Sequence, residues 1–230
     1  RMLQLGLNFT EGLPELFAGI IVTFYAGELA WRNRQLRFHE VHDALPVRTW
    51  VIWSSKLTAL FGVIVILFIA AMLTSIGVQM FNGYHNYEIL VYLRGLFLVS
   101  GIPFLMIAVF ALAAQVVTNN KWTGLLVVLL YFVGSAAVPA MGLEHHLYLF
   151  ATSPDFTYSD MNGYGHFVAP IFWFYLYWGV FSLLLVLMTH LLWVRGTPAG
   201  LRERLRVARG RFTRGVAVTS TLAVVATAAI

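Results

Sequence analysis

Long apolar runs alternate with short polar segments along the whole chain. A helix that spans the hydrocarbon core of a bilayer needs about 20 mostly apolar residues. Six runs are candidates, namely 13–31, 51–77, 91–117, 122–140, 167–194 and 214–230. Because these runs are apolar on all sides, their helical period is uninformative. The pattern predicts an all-α integral membrane protein, a polytopic helical bundle of about six spans. Pro103 lies in the middle of a run and predicts a kink there.

Composition supports the membrane class. Apolar residues make up 60% of the chain and charged residues only 11%, whereas about a quarter of the residues in soluble domains are charged. The absence of cysteine excludes disulfides and thiolate chemistry. The basic pI of 9.7 is also typical of nucleic-acid-binding proteins. However, the positive charge is concentrated beside the apolar runs, so we predict a lipid bilayer as partner and no nucleic acid.

The distribution of Lys and Arg predicts the orientation of the chain. Thirteen of the 15 basic residues lie in or beside the loops 32–50, 118–121 and 195–213. By the positive-inside rule these loops are cytoplasmic and both ends of the chain are external. Arg94 lies just inside a span on the external side. It either lines a substrate path or extends to the outer headgroups, and the second reading is favoured.

The first basic loop combines several features. Glu28 ends an apolar run, arginines follow it, and a short amphipathic helix is predicted from Phe38 to Leu45, stopped by Pro46. A helix of this length is marginal alone in water, so it must lie against headgroups or a partner protein. An ionised Glu28 at a span end needs a cation, and we expect Arg32 at i+4 or Lys56.

This ordered combination resembles the cytoplasmic coupling loop of type-2 ABC exporter permeases. The resemblance implies that residues 1–194 form a permease transmembrane unit of the bacterial inner membrane. It also implies that the loop docks on a separate ABC ATPase dimer and that a second permease unit, identical or similar, completes the pathway. The residues carried over are Glu28, Arg32, Arg34, Arg37, His39, Glu40, Asp43, Ala44, Leu45, Pro46 and Lys56.

No enzyme motif is found in the sequence. The phosphate-binding pattern Gly-x-x-x-x-Gly-Lys-[Ser/Thr] is absent, and so is any nucleophile–base pattern. We therefore predict no catalytic residues and no cofactor in this chain. ATP and Mg would be held by the partner ATPase.

The external segment 141–166 is too polar to span a membrane but rich in aromatic residues. Type-2 permeases have short re-entrant or interfacial helices at this place. The strings Gly-Leu-Glu-His and Tyr-Ser-Asp-Met-Asn-Gly-Tyr-Gly-His resemble a subfamily fused to an external zinc metallo-aminopeptidase. Its candidate residues here are Glu144, His145, Tyr158, Asp160, Asn162 and His166. The side chains suit zinc, but the spacing is not His-Glu-x-x-His, so we predict no metal site.

Residues 195–213 predict a basic amphipathic connector on the cytoplasmic surface. Leu201, Leu205, Ala208 and Phe212 share one helical face. Residues 214–230 would begin a further transmembrane helix that leads to an external domain outside this chain. Because the chain begins with Arg and stops at Ile230 inside an apolar run, we expect a segment of a longer polypeptide.

The sequence thus predicts the permease component of an ABC exporter, in which ATP hydrolysis by a partner drives substrate movement. Two alternatives stay open. The spans could only anchor an external metallo-aminopeptidase, without transport. An integral-membrane oxidoreductase built around His190 is the other, although that histidine has no second imidazole at the same depth. The residues do not define the substrate.

Overall fold

A computed structural model describes residues 13–83, 89–138, 141–142, 145–154, 163, 165–196 and 200–230. Within these ranges the chain is helical and contains no strand. The helices in chain order are α1 (Leu13–Gln35), α2 (His39–His42), α3 (Thr49–Phe81), α4 (Ile89–Thr118), α5 (Lys121–Ala137), α6 (Val168–Leu192), α7 (Leu201–Arg211) and α8 (Arg214–Ala229). Single 3-10 turns lie at His146–Tyr148 and Gly165–Phe167.

Three of the described helices are long and apolar enough to cross a membrane. They are α3, α4 and α6 together with the turn before it (Gly165–Leu192). A fourth is counted if α7 and α8 form one span, although these two helices meet at 98°. α5 is shorter and α1 does not meet the same test. The all-helical, membrane-compatible class is therefore confirmed, whereas the number of six spans stays a prediction.

Helix α4 lies at the centre of the bundle and contacts α1, α3, α5 and α6. Its second half is the most completely buried stretch among the described residues. α3 and α6, in contrast, each have one side with large exposed apolar residues, as expected of helices that face lipid. The main core combines residues of α1, α3, α4 and α5, with Val22, Leu60, Tyr92, Leu96 and Val128 fully buried.

Pro103 affects the hydrogen bonding of α4. The helix is π-helical over Leu93–Ser100 and α-helical from Gly101 onward. Proline has no N–H, so it cannot donate to Val99, its i−4 acceptor. The hydroxyl of Tyr175 on α6 donates to the Val99 carbonyl oxygen instead, at 2.5 Å. The helix type thus changes just before the proline, whereas the kink predicted at Pro103 stays a prediction.

Small residues allow α1, α4 and α5 to approach closely. A Cβ added to Gly124 of α5 would lie 2.5 Å from Oε1 and 2.9 Å from Cα of Gln115. A Cβ on Gly19 of α1 would lie 2.7 Å from Cζ of Phe132. Close approach through glycine is typical of helix pairs in membranes. The contact at Gly124, together with the hydrogen bond that Nε1 of Trp31 donates to Oε1 of Gln115 at 3.0 Å, places the buried Gln115 between α1 and α5 near the end of α4.

Candidate coupling site at the arginine-rich end

The connecting loop, residues 36–48, joins α1 to α3 and contains the short helix α2. This helix has only four residues, so the predicted helix from Phe38 to Leu45 is too long. Phe38 provides no side-chain cap at its start. After Asp43 the carbonyl groups of the loop turn toward Arg195 instead of continuing the helical pattern. The loop is therefore an irregular segment with one helical turn.

Arg195, which follows α6, holds the connecting loop. Its Nη1 donates to the carbonyl oxygen of Val47 at 2.6 Å, and its Nη2 donates to those of Asp43 and Leu45 at 2.8 and 3.0 Å. The backbone N–H of Gly196 donates to Oδ2 of Asp43 at 2.8 Å. Hydrogen bonds to charged groups contribute more than neutral ones. The loop is consequently attached to the end of α6 as well as to α1 and α3.

Large apolar side chains of the same loop remain exposed. Leu36, Phe38, Val41 and Leu45 are each about half exposed or more. Arg195 and Gly196 fix the loop at Asp43, Leu45 and Val47, so these side chains belong to a segment that is tethered at its second half. We call these four residues the apolar loop face. Of these four residues, only Leu45 is among the candidate site residues predicted from the sequence.

Glu28 and Lys56 have partners that differ from those predicted. Glu28 forms an ion pair with Lys121, the first residue of α5, rather than with Arg32 or Lys56. Lys56 donates to the carbonyl oxygen of Leu29 and lies 5.9 Å from the centre of the Trp193 ring. The Glu28–Lys121 ion pair joins α1 to α5, and the hydrogen bond from Lys56 to Leu29 joins α3 to α1. The i+4 spacing within one helix predicted the wrong partner for Glu28, because Lys121 on a neighbouring helix is closer.

The remaining candidate residues of the first loop have separate positions. Arg34 donates to the carbonyl oxygen of Val194 at 3.1 Å and to Oδ1 of Asn119 at 3.4 Å, and so joins the ends of α1, α4 and α6. His39 is partly buried and Arg37 has a left-handed φ of 56°. The candidate residues that are exposed are Glu28, Arg32, Arg37, Glu40, Ala44, Leu45 and Pro46.

Two arginines of α7 bind the carboxyl ends of α4 and α6. Arg204 is buried and donates to the carbonyl oxygens of Val116, Val117 and Leu192. Arg211 donates to those of His190, Leu191 and Trp193. The last four carbonyls of a helix have no partner within it, and a cation there also interacts favourably with the helix dipole. α7 is therefore docked on the bundle by its arginines.

Burial lowers the pKa of the Arg204 guanidinium. It also lowers the pKa of Arg211, and the nearby Arg195 acts in the same direction. A guanidinium nevertheless stays charged at neutral pH. The sequence predicted a basic amphipathic connector here, with Leu201, Leu205, Ala208 and Phe212 on one face. Its spacing did not indicate that Arg204 is buried.

His190, the basis of the oxidoreductase alternative, contacts α3. Its Nδ1 accepts a hydrogen bond from Nε1 of Trp53 at 3.2 Å, and the two rings meet edge to face. This is the hydrogen-bonded interface position favoured for an isolated histidine inside a span. One ring nitrogen is thereby engaged in a contact between helices.

Only part of the external segment lies within the described ranges. Nδ1 of His145 accepts from the backbone N–H of Leu147 at 3.2 Å. His166 is exposed beside Phe167, with ring centres 4.1 Å apart. Among the described residues, no group of three or more His, Asp or Glu is arranged to hold a metal ion. The other candidates lie outside the described residues, namely Glu144, Tyr158, Asp160 and Asn162.

Comparison of the chain with protein-family models, with curated proteins and with solved structures found no match.

Proposed function

We propose that this chain is the transmembrane permease component of a type-2 ABC exporter. The connecting loop would be its docking site for a separate ATPase on the cytoplasmic side. The observation that supports this most strongly is the combination of an exposed apolar loop face with a tethered backbone. A loop that only connects two spans needs neither feature. A loop that transmits force needs both.

The contacts of the loop suggest how movement would be transmitted. The loop continues directly into α1 and α3, and Arg195 and Gly196 connect it to the end of α6. Arg204 in turn connects the ends of α4 and α6. A displacement of the loop by an ATPase would therefore reach four helices. The ATPase must bind the loop differently in its two nucleotide states, because equal binding shifts no equilibrium.

The direct experiment is purification of the native complex with an altered apolar loop face. The double variant Val41→Asp/Leu45→Asp places two carboxylates on exposed side chains that make no core contact. We expect it to insert and fold normally and to lose ATPase association by about 100-fold, since each buried apolar contact contributes roughly 1.5 kcal/mol or more. The matched control is Phe81→Asp, which changes an exposed apolar residue at the opposite end of α3.

The proposal fails if the double variant retains a full complement of ATPase, or if the control loses the ATPase equally. Retained external peptidase activity together with an absent ATPase, in the unmodified complex, would support the anchor alternative instead. The second permease unit would be detected in the same preparation from the stoichiometry of the subunits.

A further inference from the structure

A second feature lies away from the arginine-rich end. A cleft of about 670 Å³ opens between the first part of α4 and the first part of α6. Its walls are mostly apolar, and Arg94 contributes the charged group. Its lining includes Leu98 and Val99 of α4 and Val168, Phe172 and Tyr175 of α6. Its volume falls within the range typical of sites for small ligands, about 300–1,000 Å³.

One wall of the cleft is formed by the π-helical segment of α4. Arg94, Leu98 and Val99 all belong to it. π-Helical turns cost hydrogen-bond quality and are frequent at functional sites. The hydrogen bond from Tyr175 to the Val99 carbonyl joins the two walls and fixes their separation at this level. The cleft is therefore shaped by specific contacts rather than by loose packing.

Arg94 is the charged group of this cleft and has no compensating anion in the described part of the chain. The side chain is exposed, and no hydrogen bond or ion pair joins it to another described residue. It lies five residues after the start of α4, or roughly 7 Å along the helix axis. A cation at this depth of a membrane helix is expected to meet an anionic group.

The cleft also borders the exposed apolar surface of the bundle. Leu98, Val168 and Phe172 line it and are each more than half exposed. In a bilayer these side chains face acyl chains, so a lipid reaches the cleft laterally without leaving the membrane. We propose that this cleft binds one anionic phospholipid of the surrounding bilayer. Its phosphate lies on Arg94 and one acyl chain lies along the apolar wall.

This site shares no residue with the proposed ATPase contact, so the two proposals succeed or fail separately. The test is native mass spectrometry of the full chain after exchange with phosphatidylglycerol or phosphatidylcholine in mixed micelles. We expect one tightly retained lipid, with a preference for phosphatidylglycerol on the order of tenfold, because the quaternary ammonium of phosphatidylcholine offsets the charge of its own phosphate near Arg94 and phosphatidylglycerol has no such cation. Arg94→Gln should remove that preference, and Arg94→Lys should keep part of it.

Two further variants make the result specific. Leu98→Trp fills the cleft and should reduce retention of both lipids. Arg202→Gln, at an exposed arginine of α7, controls for general attraction of anionic lipid and should change nothing at this site. The proposal is overturned if Arg94→Gln keeps the preference or if the unmodified chain retains both lipids equally. It is also overturned if Arg94→Gln alters only the oligomeric state, which would make the cleft an interface between copies.

Discussion

Nη1 of Arg195 lies 2.6 Å from the carbonyl oxygen of Val47, and this hydrogen bond joins residues 148 positions apart in the chain. Together with the bonds to Asp43 and Leu45, it makes one side chain responsible for the position of the connecting loop. The hydrogen bond from the backbone N–H of Gly196 to Oδ2 of Asp43 adds one further attachment beside the two covalent ends of the loop. The first expectation follows from this dependence.

Arg195→Ala should loosen the connecting loop without unfolding the bundle. Hydrogen bonds from a charged donor contribute about 1.5–3 kcal/mol when buried, and less here because the group is partly exposed. We expect amide hydrogen exchange over residues 39–47 to accelerate by about tenfold, while exchange in α4 stays unchanged. Arg202→Ala, which removes an exposed arginine, is the control. Unchanged exchange in the loop would show that Arg195 does not hold it.

Arg204→Gln should destabilise the protein far more than Arg206→Gln. The two residues are neighbours on α7, but Arg204 is buried against three carbonyl oxygens and Arg206 is exposed. We expect a loss of about 2–3 kcal/mol for the first variant and less than about 0.5 kcal/mol for the second. Unfolding of the detergent-solubilised protein measures both. Equal destabilisation by the two variants would contradict the inward position of Arg204.

Gly124→Ala and Gly134→Ala should have opposite effects although both lie on α5. The added methyl at Gly124 would collide with the side chain and the Cα of Gln115, whereas Gly134 has no neighbour within 4 Å. Overpacking costs about 1–3 kcal/mol. An alanine in an open helical position gains up to about 1 kcal/mol. Unfolding of the detergent-solubilised protein measures the stability of both variants. An unchanged free energy of unfolding for Gly124→Ala would mean that α4 and α5 pack less closely than the contacts of Gly124 indicate.

The helices were largely predictable from the sequence because lipid-compatible segments must be long and apolar. The predicted run 13–31 corresponds to α1, which continues to Gln35. The helix predicted from Phe38 to Leu45, with its stop at Pro46, is wrong in its length, because α2 ends at His42. Its length depends on Arg195, which lies about 150 residues away. Local spacing contains no information about such a contact.

The partners of charged residues were the least predictable part. Glu28 has Arg32 at the favourable i+4 distance, yet it pairs with Lys121 on another helix. Similarly, Arg202, Arg204 and Arg206 alternate in the same basic stretch, and only the packing of α7 distinguishes the buried one. Polar groups at helix ends are satisfied by whichever donor the fold brings near. That donor is decided by tertiary structure rather than by the neighbouring sequence.

The proposal that an ATPase docks on the connecting loop depends on the side of the membrane on which this loop lies, since an ATPase can contact it only from the cytoplasm. The chain has no cysteine, so Glu40→Cys and Asn82→Cys each introduce a single thiol, the first in the connecting loop before α3 and the second directly after α3. A membrane-impermeant maleimide added to intact cells should label the Asn82→Cys variant. The Glu40→Cys variant should react only after the cells are opened. Labelling of the Glu40→Cys variant in intact cells would place the loop outside and contradict the account.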